Sequence, residues 1–150
     1  MQVPTVDTVL VAVDGSDESL AALEYAVAIA DRYDAEIVAL YVLDGAEYRA
    51  MTAGEIDPDT ISTETQTYLA DAKRVATEAD VGFRSAVAYG FSSQRKLMHP
   101  GSVVLDATED LQADFIVIPR EPISGHPFDG TLAKAAEYTL LYASQPVLAV

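Results

Sequence analysis

A chain of 150 residues, half of them hydrophobic, is long enough to bury a substantial core in one domain, so disorder is excluded as the starting expectation. It contains no cysteine, which excludes disulfides, thiolate metal sites and cysteine nucleophiles and suits a reducing cytosol. Twenty-four acidic residues against nine basic ones give a formal charge of −15, a field that repels nucleic-acid phosphates and anionic lipid.

The opening MQVPTVDTVLVAV has neither a basic leader region nor a cleavage-type apolar core, and no apolar run is long enough to cross a bilayer. A cytoplasmic protein with no membrane and no nucleic-acid partner is expected. Val9 to Val13 is a continuous apolar run, as in a strand covered on both faces. Asp14-Gly15-Ser16-Asp17 then signals a turn and a helix cap, with Ser16 or Asp17 as the capping residue. Leu20, Leu23, Val27 and Ala30 recur at helical spacing and carry a first helix to about Tyr33. A second buried strand is predicted over Ile37 to Leu43. Residues 44–60, with Gly45, Gly54 and Pro58, read as a long loop.

A second helix is predicted over Thr63 to Ala79, with Leu69, Ala72, Val75, Ala76 and Ala79 facing inward. A third strand follows at Phe83 to Tyr89 and a loop from Gly90 to His99 carrying Gln94, Arg95 and Lys96. Pro100-Gly101-Ser102 opens a third helix, with proline at its start. Phe115 to Ile118 reads as a fourth strand, Pro119 to Asp129 as loop, Gly130 to Ala143 as a fourth helix and Val147 to Val150 as a closing strand. Strands alternating with helices imply right-handed crossovers and a parallel sheet in a single domain spanning 1–150, without internal repeats. Such an open, doubly wound sheet binds ligands beyond the C-terminal ends of its strands, where the strand order reverses. The loops after Val13 and Ile118 are therefore the first places to seek a site.

Asp14 ends the first strand with a carboxylate that can accept hydrogen bonds from a base or a ribose, beside a helix N-terminus with unpaired N–H groups. The same residues serve equally well as a plain turn and cap. His99 and His126, the two histidines, lie beside prolines without partners at metal-ligand spacing, and no nucleophile stands beside a base. Neither a metal nor a catalytic residue is expected. Asp71, Glu78, Asp80, Asp106, Glu109 and Asp110 read as solvated helix faces.

The segment VLVAVDGSDESLAALEYAVAIADRYDAEIVALYVLD resembles the opening of the universal stress protein family: a strand, D-x-S, an apolar helix and a second strand. DFIVIP and QPVLAV resemble that family's fourth and final strands, so the resemblance runs through nearly the whole chain in order. It implies a Rossmann-like α/β fold, an open five-stranded parallel sheet of order 3-2-1-4-5 with helices on both faces, and usually a homodimer. In ATP-binding members the first-strand Asp and nearby backbone hold adenine and ribose, and a valine ending the second strand packs on the nucleoside. By position these are Ala12, Val13, Asp14 and Val42, with Ile118 preceding the phosphate loop.

The phosphate half departs from the pattern G-x-x-G, nine residues, G-[ST]. Its first two glycine positions fall on Pro119 and Pro122, and, counted back from Pro146-Val147-Leu148, its G-[ST] pair on Ala133-Lys134. Proline fixes φ and offers no N–H to a phosphate. Gly125 and Gly130-Thr131, with charge from Arg120 or Lys134, are the alternative anion loop; the plainer reading makes those glycines turn residues and Asp129 a helix cap. The expected function is a non-enzymatic, dimeric stress-response or regulatory module with weak or absent ATP binding that can still take a nucleoside or AMP. The alternatives are an ATP or AMP sensor with a loop rebuilt at 125–131, and a nucleotide-dependent enzyme on the same fold. Residues 147–150 form an apolar edge strand, open to pairing with a second copy.

Lys73, Lys96 and Lys134 are the only lysines. An acid-rich, lysine-poor surface is either ordinary or the halophilic kind that stays soluble in a salt-loaded cytosol. A halophilic chain unfolds at a clearly higher temperature in multimolar KCl than in dilute buffer, because salt screens its self-repulsion; equal midpoints in the two would make the surface ordinary.

Overall fold

The computed structural model describes residues 3–43, 45–89, 100–120 and 131–150. Five strands form one parallel sheet, β1 (Thr8–Val13), β2 (Glu36–Leu43), β3 (Phe83–Tyr89), β4 (Phe115–Ile118) and β5 (Val147–Ala149), in the order β3-β2-β1-β4-β5. The helices are α1 (Asp17–Tyr33), α2 (Gly45–Thr52), α3 (Pro58–Glu78), α4 (Pro100–Asp110) and α5 (Thr131–Tyr142). The sheet order reverses at β1 and β4, as expected for a doubly wound, Rossmann-like fold.

Alternation along the strands divides the core into two layers. Val9, Val11 and Val13 of β1, with Ile37, Ala39 and Tyr41 of β2, pack on α1 and α3 against Leu23, Ala26, Ala72 and Ala76. Leu10, Ala12, Leu40, Val42, Ile116 and Ile118 face the other way, toward Val104 of α4 and Ala135 and Ala136 of α5. All six residues of β1 are buried, which is why Val9 to Val13 within it reads as an unbroken apolar run. On the second face α4 and α5 approach closely: a Cβ on Gly101 would lie 2.5 Å from Tyr138.

Local chemistry sets the element ends. Ser16 caps α1, its Oγ accepting the Ser19 N–H at 3.0 Å, and Asp34 closes the helix in the left-handed region at φ 55°. Asp114 joins the starts of two strands. Its Oδ2 accepts the Asp7 and Thr8 N–H groups at 2.8 and 3.0 Å, while its own N–H donates to the Thr8 carbonyl.

The expected loop at 44–60 is largely helical. It holds α2, and α3 begins at Pro58 rather than at Thr63. Asp57 and Pro58 are a helix start, not loop punctuation: Asp57 Oδ1 accepts the Asp59 N–H at 2.9 Å, and Pro58 occupies the first turn, where its missing N–H costs nothing. The glycines bracket a short helix, with Gly54 at φ +78° and the Glu55 N–H returning to the Ala50 carbonyl. The loop expected at Gly90 to His99 and most of that at Pro119 to Asp129 lie outside the described residues.

Candidate functional site

β1 delivers the chain to the C-terminal edge of the sheet, where it turns at Asp14 and Gly15 into α1. Asp14 Oδ1 accepts the Ser16 N–H at 3.0 Å and so braces the turn ahead of the helix cap. Gly15 sits at φ +86°, a conformation that favours glycine, and a Cβ there would lie 2.8 Å from the Tyr41 hydroxyl oxygen.

Two tyrosines close over this turn. The Tyr41 hydroxyl donates to the Asp14 carbonyl at 3.3 Å, and its ring meets that of Tyr68 edge to face with centroids 5.7 Å apart. Ser19 Oγ lies 2.7 Å from the Tyr68 hydroxyl. It donates to the Ser16 carbonyl at 2.9 Å and accepts the Asp14 N–H at 3.3 Å. The Ser19 and Tyr68 hydroxyls thus share one hydrogen bond, and the Tyr68 hydroxyl also reaches the Ser16 carbonyl at 3.5 Å. Burial pushes the Tyr68 phenol up to about 12; the Ser19 hydrogen bond opposes this, while the negative charge of Asp14 and the neighbouring Tyr41 and Asp17 add to it.

Beside the turn opens a cleft of about 410 Å³ between the β1 and β2 ends and α3. Asp14, Gly15, Tyr41 and Tyr68 form its inner wall, and Thr63, Glu64, Thr67 and Asp71 of α3 its rim. Three carboxylates line it, so its field favours neutral or cationic groups over phosphates. Asp71 also pairs with Arg74 on the exposed helix face.

The structure distributes the residues singled out in the sequence over both faces of the sheet. Asp14 lines the cleft. Ala12, Val42 and Ile118 share the α4 and α5 face and are covered, at 0%, 2% and 0% exposure. Val13 is equally buried but packs on the opposite face. Gly125, Gly130, His99 and His126 lie outside the described residues, as does Pro122; Thr131 and Lys134 belong to the first turn of α5, and nothing is described of their side chains. Glu78, Asp80, Asp106, Glu109 and Asp110 are exposed. Among the described residues no group of three or more His, Asp or Glu could hold a metal, and no helix is long and apolar enough to cross a membrane.

At the other strand end, Pro119 is buried and has no N–H, and the Arg120 N–H donates to the Val150 carbonyl at 3.0 Å. The Val150 N–H in turn donates to Ile118 at 2.9 Å, so pairing between the fourth strand and the C-terminus continues past Ile118.

The model of the universal stress protein family matches residues 5–150. The chain belongs to the universal stress protein family. A universal stress protein of Methanocaldococcus jannaschii is 29% identical over 145 residues, covering 95% of this chain and 80% of that one. Among solved structures, a universal stress protein in complex with cAMP superposes with a TM-score of 0.69 at 19% identity, covering 98% of each chain. One from Archaeoglobus fulgidus in complex with dAMP gives 0.63 at 19% identity, covering 95% of this chain and 96% of that one. In this universal stress protein the tyrosines around Asp14 escaped the sequence reading. Their signal was the stripe Ile61, Thr65, Tyr68, Ala72, Ala76 along α3, whose spacing is helical but whose Thr and Tyr count as polar.

Tyr68 makes stability depend on pH in a defined window. A phenol raised from 10 to about 12 in the folded state contributes its full stability below pH 10 and loses it as pH rises through 12. In an absorbance titration, Tyr68→Phe should remove one tyrosine's worth of late ionisation. A late component of unchanged size after the substitution would contradict the assignment to Tyr68.

Proposed function

We propose that this universal stress protein is a non-enzymatic, dimeric regulatory module of the stress response. It takes an adenine nucleoside or AMP at the Asp14 end of β1, and it holds ATP weakly or not at all. The observation that carries this reading is the donor-poor exit from β4. Pro119 has no N–H, and the Arg120 N–H is already bonded to Val150. Pro119, Pro122, Ala133 and Lys134 occupy the positions where ATP-binding members carry glycine and G-[ST]. A phosphate arriving beyond β4 therefore meets no free amide at the first two positions of the loop.

The nucleoside side is favoured by the solved relatives in complex with cAMP and dAMP and by Asp14 at the strand end. Val42 and Ile118 are covered, so a nucleoside packing on them must first uncover them, which lowers the apparent affinity by the fraction of open molecules. The non-enzymatic reading rests on the site chemistry: Tyr68 is pushed away from neutral pH, opposite to the tuning of a general acid or base. The dimer rests on the edge strand β5, half-buried along its length, and on Leu140, Leu141 and Tyr142 at the end of α5, which are 53%, 71% and 64% exposed.

Titration calorimetry with adenosine, AMP and ATP tests the ligand reading. Adenosine and AMP should bind weakly, ATP no more tightly, and Asp14→Ala should weaken all binding by about tenfold, or about 1.4 kcal/mol. Micromolar ATP binding abolished by Asp14→Ala would overturn it in favour of an ATP sensor with a rebuilt loop at 125–131, and ATP turnover would replace it with an enzyme. Light scattering should give the mass of two chains; the mass of one chain at working concentration would defeat the dimer.

A further inference from the structure

A second cavity, of about 430 Å³, lies on the other flank of α3, away from the Asp14 cleft. Its walls are Leu43 of β2, Met51 of α2, Ile61 and Leu69 of α3 and Val87 of β3. Ser62, Thr65 and Gln66 supply the polar part of the lining. Its size falls in the range of small-molecule sites, and its composition of mostly apolar walls with a few polar groups is that of such sites.

Three observations define what it would hold. Among the described residues the lining contains no charged side chain, although the chain carries 24 acids and nine bases. An anion would enter against the field of the whole molecule and find no counter-charge among those residues. Thr65 is 6% exposed, and its Oγ1 is buried without a hydrogen-bond partner. Helical threonine occupies two χ1 rotamers, so a rotation can present this hydroxyl to an occupant of the cavity that it already lines. Val87 is 52% exposed on the edge strand β3, leaving a large apolar side chain in water that an occupant would cover.

We propose that this cavity binds an uncharged, predominantly aliphatic small molecule bearing one hydrogen-bonding group, of the class of a medium-chain alcohol, with Thr65 as its polar partner. The site is independent of the Asp14 cleft. The two linings share no residue, so the two flanks of α3 carry two separate ligand chemistries.

Fluorescence titration of the full chain with the neutral dye N-phenyl-1-naphthylamine tests this, with 1-octanol and octanoate as competitors. One saturable dye site per chain is expected, displaced by octanol at least tenfold more effectively than by octanoate. Val87→Trp, at an exposed position, should block the mouth and weaken dye binding by about tenfold with an unchanged circular dichroism spectrum. Thr65→Val should weaken octanol about fivefold and leave the hydroxyl-independent dye unaffected. The proposal is overturned by a folded chain that shows no saturable dye binding. It is equally overturned by dye binding that survives Val87→Trp, by octanoate competing as well as octanol, or by octanol affinity unchanged in Thr65→Val.

Discussion

The enclosure of β1 is the constraint on which this fold depends. Its six residues are buried on both faces, and both its edges are paired, to β2 on one side and β4 on the other. Backbone amides and carbonyls so enclosed are satisfied inside the sheet, and from Val9 to Val13 the side chains are apolar on both sides. The chain can therefore offer polar chemistry only where β1 ends. Asp14 is that point, and the turn it begins is fixed by Gly15 at positive φ, by the Ser16 cap and by Tyr41 and Tyr68 closing over it. The position of the candidate site follows from the sheet.

The neighbouring strand reaches the same edge with the opposite outcome. At β1 the backbone leaves the ladder at once, and a side chain and a cleft become available. At β4 the ladder continues: Ile118, Arg120 and Val150 exchange hydrogen bonds beyond the strand proper. An amide bonded to a neighbouring carbonyl cannot also cradle a phosphate, and breaking that bond inside a covered sheet edge carries the cost of an orphaned group. Acidic side chains around the cleft and a net charge of −15 act in the same direction. The proposed preference for a nucleoside or AMP over ATP thus stands on backbone pairing and electrostatics together.

Much of this architecture was legible in the sequence because strands buried on two faces announce themselves as unbroken apolar runs, as Val9 to Val13 does. The sheet order came from the family resemblance rather than from periodicity. Residues 44–60 misled because Gly45, Gly54 and Pro58 are punctuation in either reading. Only the hydrogen bonds show that they bracket α2 and open α3. The site was less legible for a non-local reason. That Val13 and Val42 face opposite layers depends on the register Val13↔Tyr41, a pairing between residues distant in sequence. The same register brings Tyr41 over Asp14, and no local pattern encodes it.

Amide chemical-shift mapping tests the central claim most directly, by comparing titrations with adenosine and with ATP. The account predicts that adenosine moves the amides of Asp14, Gly15 and Ser16, that ATP moves them no more than adenosine does, and that the Arg120 amide stays unshifted and slow to exchange in both. An Arg120 amide that shifts with ATP but not with adenosine would show a phosphate bound at the exit of β4, and would contradict the account.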